Sequence, residues 1–238
     1  MLEAVVLAHL TAGVGQVVAA PLDALAGDLK DRVSRRLRAI GDNAEAKADG
    51  RPIEAPDRVL VKALTEGGFV DDEIAVDYLG GVLAASDASD EAAPIIAQIG
   101  RLSAAQLRLH FIIYREVRRL CIGRDIAFYD FSRDQAEVRV TADELCAATT
   151  LDWNGVGRGL AGLVREGLVT TYAMAASTSL VTVTPSGLGV ELFLWGNGVQ
   201  IIDSRRLLDP ALDLRFAATV GETPSAVLTR ETGPENAE

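Results

Sequence analysis

The sequence contains few of the residue types on which most catalytic and metal sites depend. Among its 238 residues are two histidines and two cysteines. Cys121 and Cys146 lie in apolar, helix-forming surroundings, without the clustered spacing that is typical of metal ligands. This scarcity excludes a disulfide framework and a zinc cluster, and it predicts buried thiols in a protein of the reducing cytoplasm.

Aromatic side chains are also scarce, at 5% of the chain, whereas 49% of the residues are hydrophobic. This composition disfavours an aromatic-rich β-sandwich and predicts helices that pack closely through Ala, Leu, Val and Gly. A chain of this length can bury one large core or two small ones.

Basic residues are in the minority, since 23 Lys and Arg stand against 34 Asp and Glu, for a formal net charge of −11. Such a charge argues against a protein that coats nucleic acid. The distribution is uneven, because residues 42–91 hold thirteen acidic and four basic residues, whereas residues 28–38 hold five basic and two acidic ones. The pattern indicates an acidic middle with local basic strips.

One apolar run, AVVLAHLTAGVGQVVAAPL at residues 4–22, raises the question of a membrane segment. Glu3 stands where a signal peptide would carry Lys or Arg. His9, Gln16 and several glycines make the run less apolar than a typical spanning helix of about 20 residues. We therefore expect a helix packed into the core or against a partner, with membrane contact as the alternative.

Apolar periodicity predicts a helical first half. Residues 22–40 place Leu, Val and Ile at steps of three and four, as in an amphipathic helix. We predict a polar connection over residues 41–56, and then helices over 56–66, DDEIAVDYLGGVLAAS and DEAAPIIAQIGRL. The last helix of this half opens with a capping box at Ser103 and Gln106.

After Gly123 the pattern changes to short strands and helices. AEVRV alternates like a strand, and Thr141 with Glu144 forms a second capping box. Asp152 can cap a further helix that stops at Gly167.

The residues that follow predict a hairpin and a final helix. LVTTYAM and SLVTVT are β-rich and are separated by the small-residue turn AAST. Thr184 is the expected N-cap of the final helix, with Pro185 at its first position.

Residues 157–162, GRGLAG, match the dinucleotide-binding fingerprint G-x-G-x-x-G. Such a site requires a strand directly before the first glycine, so that the turn presents phosphate to a helix N-terminus. Here the preceding TTLDWNGV predicts a turn that has already become helix. We therefore expect the glycines to lie within a helix packed closely on its neighbour, and we expect no bound cofactor.

The predicted elements follow the order strand, helix, turn, helix, strand, turn, strand and helix. This order is typical of a winged helix-turn-helix. We predict a mainly α protein, with a helical domain over residues 1–123 and a winged-helix-like α+β domain over 124–203. A C-terminal extension over 204–238 is polar towards its end and is expected to be partly disordered.

Three segments carry a resemblance to known proteins: DDEIAVDYLGGVLAAS, IIAQIGRLSAAQLRLHFIIY and LVREGLV…VTVTPSGLGVELF. Together they resemble the Abi-alpha (abortive infection alpha) family of bacterial proteins, over roughly residues 20–197. Leu79 stands where the acidic helix of that family often has a Trp. The resemblance implies a helical domain, a winged-helix-like unit and a link to phage defence, and it implies no catalytic residues.

The second helix of the winged-helix-like unit offers candidate contacts to a partner at Trp153, Asn154, Arg158 and Arg165. Specific DNA binding usually requires several Lys and Arg residues that neutralise phosphates. Residues 132–200 hold four basic and seven acidic residues, and the predicted wing tip AMAASTS has no Lys or Arg. We therefore favour a winged helix that contacts a protein or serves only as a scaffold, with DNA binding as the alternative.

A second candidate surface is a basic strip on and next to the helix that follows Ser103. Its members are Arg101, Arg108, Arg115, Arg118 and Arg119. Arg108, Arg115 and Arg119 recur at steps of seven and four, and so share one side of the helix. The strip predicts either a solvated face paired with the acidic middle of the chain, or a contact for nucleic acid, an acidic partner or anionic lipid.

Catalytic combinations of residues are not evident in the sequence. His110 is expected to be a boundary histidine with satisfied hydrogen bonds, and His9 has no acidic neighbour at helical spacing. The consecutive acids of residues 71–73 point in different directions, which is typical of a helix cap and not of a metal site. We predict no catalytic residue, no metal and no cofactor.

These observations lead to three functional hypotheses. The first is a non-enzymatic interaction or sensing protein of bacterial phage defence, which acts in the cytoplasm with a protein partner or as a homo-oligomer. The second is a winged-helix transcriptional regulator that binds DNA. The third is a membrane-associated effector that uses residues 4–22.

Overall fold

The structure, a computed structural model, describes residues 21–68, 72–122, 127, 137–212, 214 and 227–229. The first half of this described chain is helical. Its helices are α1 (Pro21–Ala48), α2 (Asp57–Gly68), α3 (Glu73–Ala85), α4 (Ala92–Arg101) and α5 (Ala104–Ile122).

The second half combines helices with a small antiparallel sheet. Its elements are β1 (Glu137–Thr141), α6 (Ala142–Thr149), α7 (Trp153–Arg165), β2 (Val169–Ala175), β3 (Leu180–Pro185), α8 (Gly187–Gly196), a 3₁₀ helix (Ile201–Leu208) and β4 (Val227–Thr229). The prediction of a mainly α protein is confirmed.

Helix α3 lies at the centre of the helical half, and every residue from 74 to 85 is buried. Its glycine pair permits close approach on two sides. A Cβ atom on Gly80 would lie 2.6 Å from the side chain of Asn43 in α1. A Cβ atom on Gly81 would collide with the backbone carbonyl of Gly196 in α8. Two adjacent glycines thus let α1 and α8 pack directly on the backbone of α3.

Helix α1 is longer than the sequence pattern indicated, and the predicted polar connection over residues 41–56 is wrong in its first part. Ile40, Ala44 and Ala48 are buried at steps of four, so the apolar stripe continues after Gly41. Asp42 and Glu45 are exposed on the outer side of the same helix, whereas Asn43 and Lys47 are half-buried. Alanines form the buried stripe in this part of α1, and a periodic pattern of Leu and Val residues does not include them.

The sheet is antiparallel throughout, with strand order β2-β3-β1-β4. Val138 pairs with Val183 and Val140 pairs with Val181, and all four side chains are buried. Strand β4 pairs with β1 on the side away from β3. The sequence pattern did not predict β4, because a strand of three residues is too short to show alternation.

The glycine fingerprint lies inside α7, as predicted. The Asp152 carboxylate caps this helix by accepting a hydrogen bond from the Gly155 amide at 2.6 Å. A Cβ on Gly159 would collide with Leu109 of α5, and one on Gly162 would collide with Gln106 of the same helix. The glycines therefore serve close helix packing, and the fingerprint has no phosphate-binding loop.

The start of α8 differs from the prediction that placed Thr184 as N-cap and Pro185 inside the helix. Both residues belong to β3, where the Thr184 hydroxyl lies 2.9 Å from that of Thr171 in β2. Ser186 is the N-cap instead, and its hydroxyl accepts from the Gly189 amide at 3.0 Å. Pairing within the sheet thus outweighs the local preference of Pro for a first helical turn.

Buried side chains from both halves belong to one hydrophobic cluster. The Phe111 and Tyr114 rings of α5 lie 5.8 Å and 6.2 Å from the Phe193 ring of α8, measured between ring centres. The domain boundaries placed at residues 123 and 203 stay a prediction.

Candidate interaction surface on helix α7

Helix α7 presents a narrow exposed strip on the side away from the core. Asn154, Arg158, Ala161 and Arg165 are exposed, and they recur at steps of four, three and four. Trp153, the other candidate contact on this helix, is half-buried and packs against the hydrophobic core. The strip thus joins two arginines and an amide around a small central residue.

The two arginines of the strip differ in their electrostatic surroundings. The Arg165 Nε atom lies 3.6 Å from the Glu166 carboxylate, which also accepts from Arg101 Nε at 3.0 Å. Arg158 makes no ion pair with any described residue. Arg158 therefore offers its full charge to a partner, whereas Glu166 already balances part of the charge of Arg165 and Arg101.

The β2–β3 hairpin lies beside this helix. Gly157 of α7 faces the sulfur of Met174 in β2 across a short gap. The turn residues 176–178 are exposed and uncharged, and Thr170 and Thr171 are exposed on β2. The hairpin therefore extends the α7 surface with small hydroxyl and methyl groups, without added positive charge.

The predicted arginine strip of α5 is largely engaged within the protein. The Arg108 guanidinium lies 2.7 Å from the Asp72 carboxylate, and Arg119 Nε lies 2.7 Å from the Glu116 carboxylate. The first of these pairs fits the interpretation that the strip balances the acidic middle of the chain. Arg101, at the end of α4, is bound to Glu166.

Arg115 is half-buried, and its guanidinium carbon lies 5.5 Å from the centre of the Phe111 ring. Burial lowers the pKa of the guanidinium, and the nearby Glu116 carboxylate opposes that shift. A cation over a ring face is attracted by the ring quadrupole, which offsets part of the cost of burial. Arg115 therefore packs against its own helix.

Arg118 is buried and faces the C-terminal side of the described chain. It donates to the backbone carbonyls of Leu207, Asp209 and Leu212. Its sequence spacing predicted a place in a surface strip, whereas in the structure it holds the 3₁₀ helix and the residues after it. The three carbonyl oxygens accept hydrogen bonds from the Arg118 guanidinium, which has only donors.

His110 is completely buried, so its predicted position at the core boundary is wrong. Its Nε2 lies 3.0 Å from the Gly189 carbonyl oxygen, and its Nδ1 lies 2.5 Å from the Tyr78 hydroxyl. Because a carbonyl only accepts, Nε2 carries the hydrogen and Nδ1 accepts from the tyrosine. Burial lowers the pKa of His110 to about 3, against the opposing effect of the Gly189 hydrogen bond. The neutral imidazole thus links α3, α5 and α8.

Tyr114 forms the second part of this buried polar cluster. Its hydroxyl donates to the Leu168 carbonyl at 2.6 Å and accepts from the Ser186 amide at 2.9 Å. Burial raises the pKa of the phenol. The side chain therefore stays neutral and fastens the start of α8 to α5.

Lys47 is a structural residue that was not among the candidates drawn from the sequence. Its amine donates to the Asp77 carbonyl at 2.6 Å and to the Gly196 carbonyl at 2.9 Å, which ties α1 to α3 and α8. Burial lowers the pKa of Lys47 to about 8, and the Asp77 carboxylate opposes that shift. The signal in the sequence was Asp77 itself, a charged residue in the middle of an apolar helix.

The candidate residues Ser103, Thr141 and Asp72 serve as helix caps. Ser103 and Thr141 cap helices, in each case with the reciprocal hydrogen bond of a capping box. The Asp72 carboxylate caps α3 at the Ile74 amide. Burial raises the pKa of the Cys121 thiol to about 12.

Two negative findings apply to the described part of the chain. It contains no group of three His, Cys, Asp or Glu side chains placed to hold a metal ion. It also contains no helix that combines the length and apolar character needed to cross a membrane. His9, Asp71 and residues 4–20 of the apolar N-terminal run lie outside the described residues.

Comparisons with protein families, with curated proteins and with solved structures found no match to this chain.

Proposed function

We propose that the protein is a non-enzymatic interaction or sensing protein of bacterial phage defence, which contacts a protein partner through the exposed strip of α7. The resemblance to the Abi-alpha family supports the link to defence. The observation that carries the proposal is the strip itself, where Asn154, Arg158 and Arg165 face solvent on a helix that the core holds firmly on its other side.

The arrangement of the second half supports a winged-helix unit. Its elements run β1, α6, α7, β2 and β3, and β3 lies between β2 and β1 in the sheet. In a winged helix α7 is the recognition helix and the β2–β3 hairpin is the wing. A wing without charge at its tip favours a protein surface over a phosphate backbone.

The buried chemistry supports a role without catalysis. A general base needs access to substrate and a pKa near the working pH. His110 is sealed in the core, and burial holds its pKa at about 3. The Cys121 thiol is buried, and its pKa is raised to about 12, so it is a poor nucleophile at neutral pH.

The test is a plating assay with a panel of diverse phages, on bacteria that carry the gene or an empty vector. We expect the gene to lower plaque counts for a subset of the phages. The double variant Arg158→Ala/Arg165→Ala should lose this protection, because truncation of a central interface arginine commonly costs about 2 kcal/mol of binding.

The matched control is Arg205→Ala/Arg206→Ala, which removes two exposed arginines from the 3₁₀ helix. This control should protect as the wild type does. Equal plaque counts with gene and vector across the panel would contradict the defence role. Full protection by the α7 variant would leave the defence role standing and exclude the strip as the contact.

A DNA-binding regulator is the second candidate function, and the exposure of Asn154 and Arg158 in the first half of α7 favours it. Side chains at this end of a recognition helix reach base edges in the major groove. The test is a fluorescence anisotropy titration with labelled duplex DNA at low salt. Micromolar binding that Arg158→Ala abolishes would establish DNA as the partner, and its absence would support a protein.

A further inference from the structure

Strand β2 is an edge strand whose second side is unpaired among the described residues. In the order β2-β3-β1-β4 it pairs with β3 alone. Thr170, Thr171, Ala173 and Ala175 are exposed, so the strand is accessible to solvent. The amides and carbonyls on the open side of an edge strand form a template for a further strand.

The open edge of β2 lacks most of the features that usually prevent strand addition. Proteins protect such edges with charged side chains, with Pro, with bulges or with very short strands. Residues 167–184 contain no Asp, Glu, Lys, Arg or Pro, and β2 is seven residues long, against three for β4 at the other edge. One irregularity of pairing lies between Val169 and Thr171, whereas residues 171–175 pair regularly with β3. These five residues present a straight, uncharged edge.

The side chains of residues 171–175 alternate between two faces of the sheet. Tyr172 and Met174 stand opposite buried valines of β3, so both lie on the core face, where each is half-buried. Thr171, Ala173 and Ala175 lie on the outer face and are exposed. The edge thus combines two large apolar side chains on one face with small ones on the other.

This segment is complementary to an antiparallel copy of itself. With a two-fold axis at Ala173, Tyr172 of each copy stands opposite Met174 of the other, and a thioether sulfur near an aromatic ring is a favourable contact. On the outer face Thr171 stands opposite Ala175, and Ala173 stands opposite itself. The pairing therefore covers the two half-buried apolar side chains and brings no bulky groups together on the outer face.

The distribution of charge favours a second copy at this edge. Each chain carries a formal net charge of −11, and 24% of its residues are charged, so most surfaces of two copies repel or need exact pairing of opposite charges. A two-fold axis brings identical residues together, so a charge at the axis would face a like charge. Residues 167–190 contain no Asp, Glu, Lys or Arg, and β2 lies within this stretch.

We propose that the open edge of β2 pairs with β2 of a second copy of the chain, antiparallel and about a two-fold axis at Ala173. The two four-stranded sheets then form one sheet of eight strands, which is within the usual size range of sheets. This self-association is independent of the contact proposed for α7.

The test is sedimentation velocity of the full chain over a series of protein and salt concentrations. We expect a reversible monomer–dimer equilibrium that shifts towards the dimer at high salt, because salt screens the repulsion between the two negative chains. Ala173→Lys should raise the Kd of the dimer at least about tenfold, because two like charges then stand opposite each other at the axis.

The matched control is Ala46→Lys, which makes the same change at an exposed position of α1 and should dimerise at least as well as the wild type. Both lysines bring the net charge closer to zero, so a general charge effect would strengthen self-association in both variants. Circular dichroism spectra confirm that both variants are folded.

Cysteine cross-linking tests the register of the paired strands. Two copies of Ala173→Cys stand opposite each other, with Cα atoms about 5 Å apart, which is within the range that a disulfide spans. Two copies of Ala175→Cys are offset by four residues, about 13 Å, and should not cross-link. Oxidised wild-type protein corrects for the two natural cysteines, Cys121 and Cys146.

Three results would overturn the proposal. The first is a chain that stays monomeric at every protein and salt concentration. The second is a dimer that Ala173→Lys does not weaken, or that Ala46→Lys weakens equally. The third is cross-linking of Ala175→Cys as fast as that of Ala173→Cys, which would exclude a two-fold axis at Ala173.

Discussion

Gly81→Ala is expected to destabilise the protein by about 3 kcal/mol or more, as an overpacked core does when the obstructing atoms cannot move aside. The added methyl group would overlap the carbonyl of Gly196 and lie 2.8 Å from the carbonyl oxygen of Trp195. Both obstacles are backbone, so α3 and α8 must separate before the methyl group fits. The midpoint of urea unfolding, followed by circular dichroism, measures the loss.

Gly41→Ala is the control for this substitution. Gly41 lies inside α1, and a Cβ built on it meets no atom within 4 Å. The same change of residue type should therefore stabilise the protein by up to about 1 kcal/mol, through helix propensity alone. Opposite signs for the two variants identify packing as the cause. An unchanged unfolding midpoint for Gly81→Ala would show that α3 and α8 do not contact each other through their backbones.

Local signals in the sequence are sufficient to locate most of the helices. The capping boxes at Ser103 and Thr141, and the Asp152 cap, involve residues at most three positions apart, and all are present. Gly167 ends α7 with a φ of 72°, in the left-handed region that favours glycine. Signals of this kind depend only on residues that are close together in the chain, so they can be recognised in the sequence.

Contacts between distant parts of the chain were not predictable in the same way. Lys47 and the Gly196 carbonyl are 149 positions apart, and nothing in either local sequence indicates the other. Ser186 is the cap of α8 because β3 pairs with β2 as far as Pro185, which depends on the sheet and not on the TPS triplet. Propensity is a weak guide wherever such tertiary pairing competes with it.

The candidate site on α7 also combines local features, which the sequence indicates, with contacts between distant residues, which it does not. Among the four candidate contacts that the sequence offered on this helix, Asn154, Arg158 and Arg165 are exposed. Trp153 is half-buried and packs against the core. The sequence did not show that Glu166, next to Arg165, also binds Arg101, which is 65 positions away. Nor did it show that Arg158 would be the arginine of the strip without an ion pair among the described residues. Periodicity identifies the face of a helix, whereas the free charge on that face depends on partners that only the fold brings close.

Acidification from pH 7 to pH 5 is expected to destabilise the protein by about 2 kcal/mol through His110 alone. Burial holds the pKa of His110 at about 3 in the folded state, whereas an unfolded histidine titrates near 6.5. Between these values the unfolded chain binds more protons than the folded chain, so the free energy of unfolding falls as the pH falls. Urea unfolding at a series of pH values between 5 and 7 measures the slope.

The other buried groups with shifted pKa values add little slope of this sign between pH 5 and pH 7. Burial raises the pKa of Tyr78 and of Tyr114, so both phenols stay neutral. Lys47, with a pKa of about 8, stays charged. Burial also raises the pKa of Glu116, on the same helix, and a raised carboxyl pKa stabilises the folded state as the pH falls.

His110→Gln isolates the imidazole from these other groups. Glutamine can keep one hydrogen-bond donor and one acceptor but does not titrate, so the variant should lose the His110 part of the slope even where its stability at pH 7 is lower. The quantity to compare is the difference in unfolding free energy between pH 7 and pH 5, in which the contribution of Glu116 is common to both proteins. This difference should be about 2 kcal/mol larger in the wild type. Equal differences in the two proteins would mean that His110 titrates near 6.5 in the folded state, as in the unfolded chain, and that its imidazole is hydrated and not enclosed in the core.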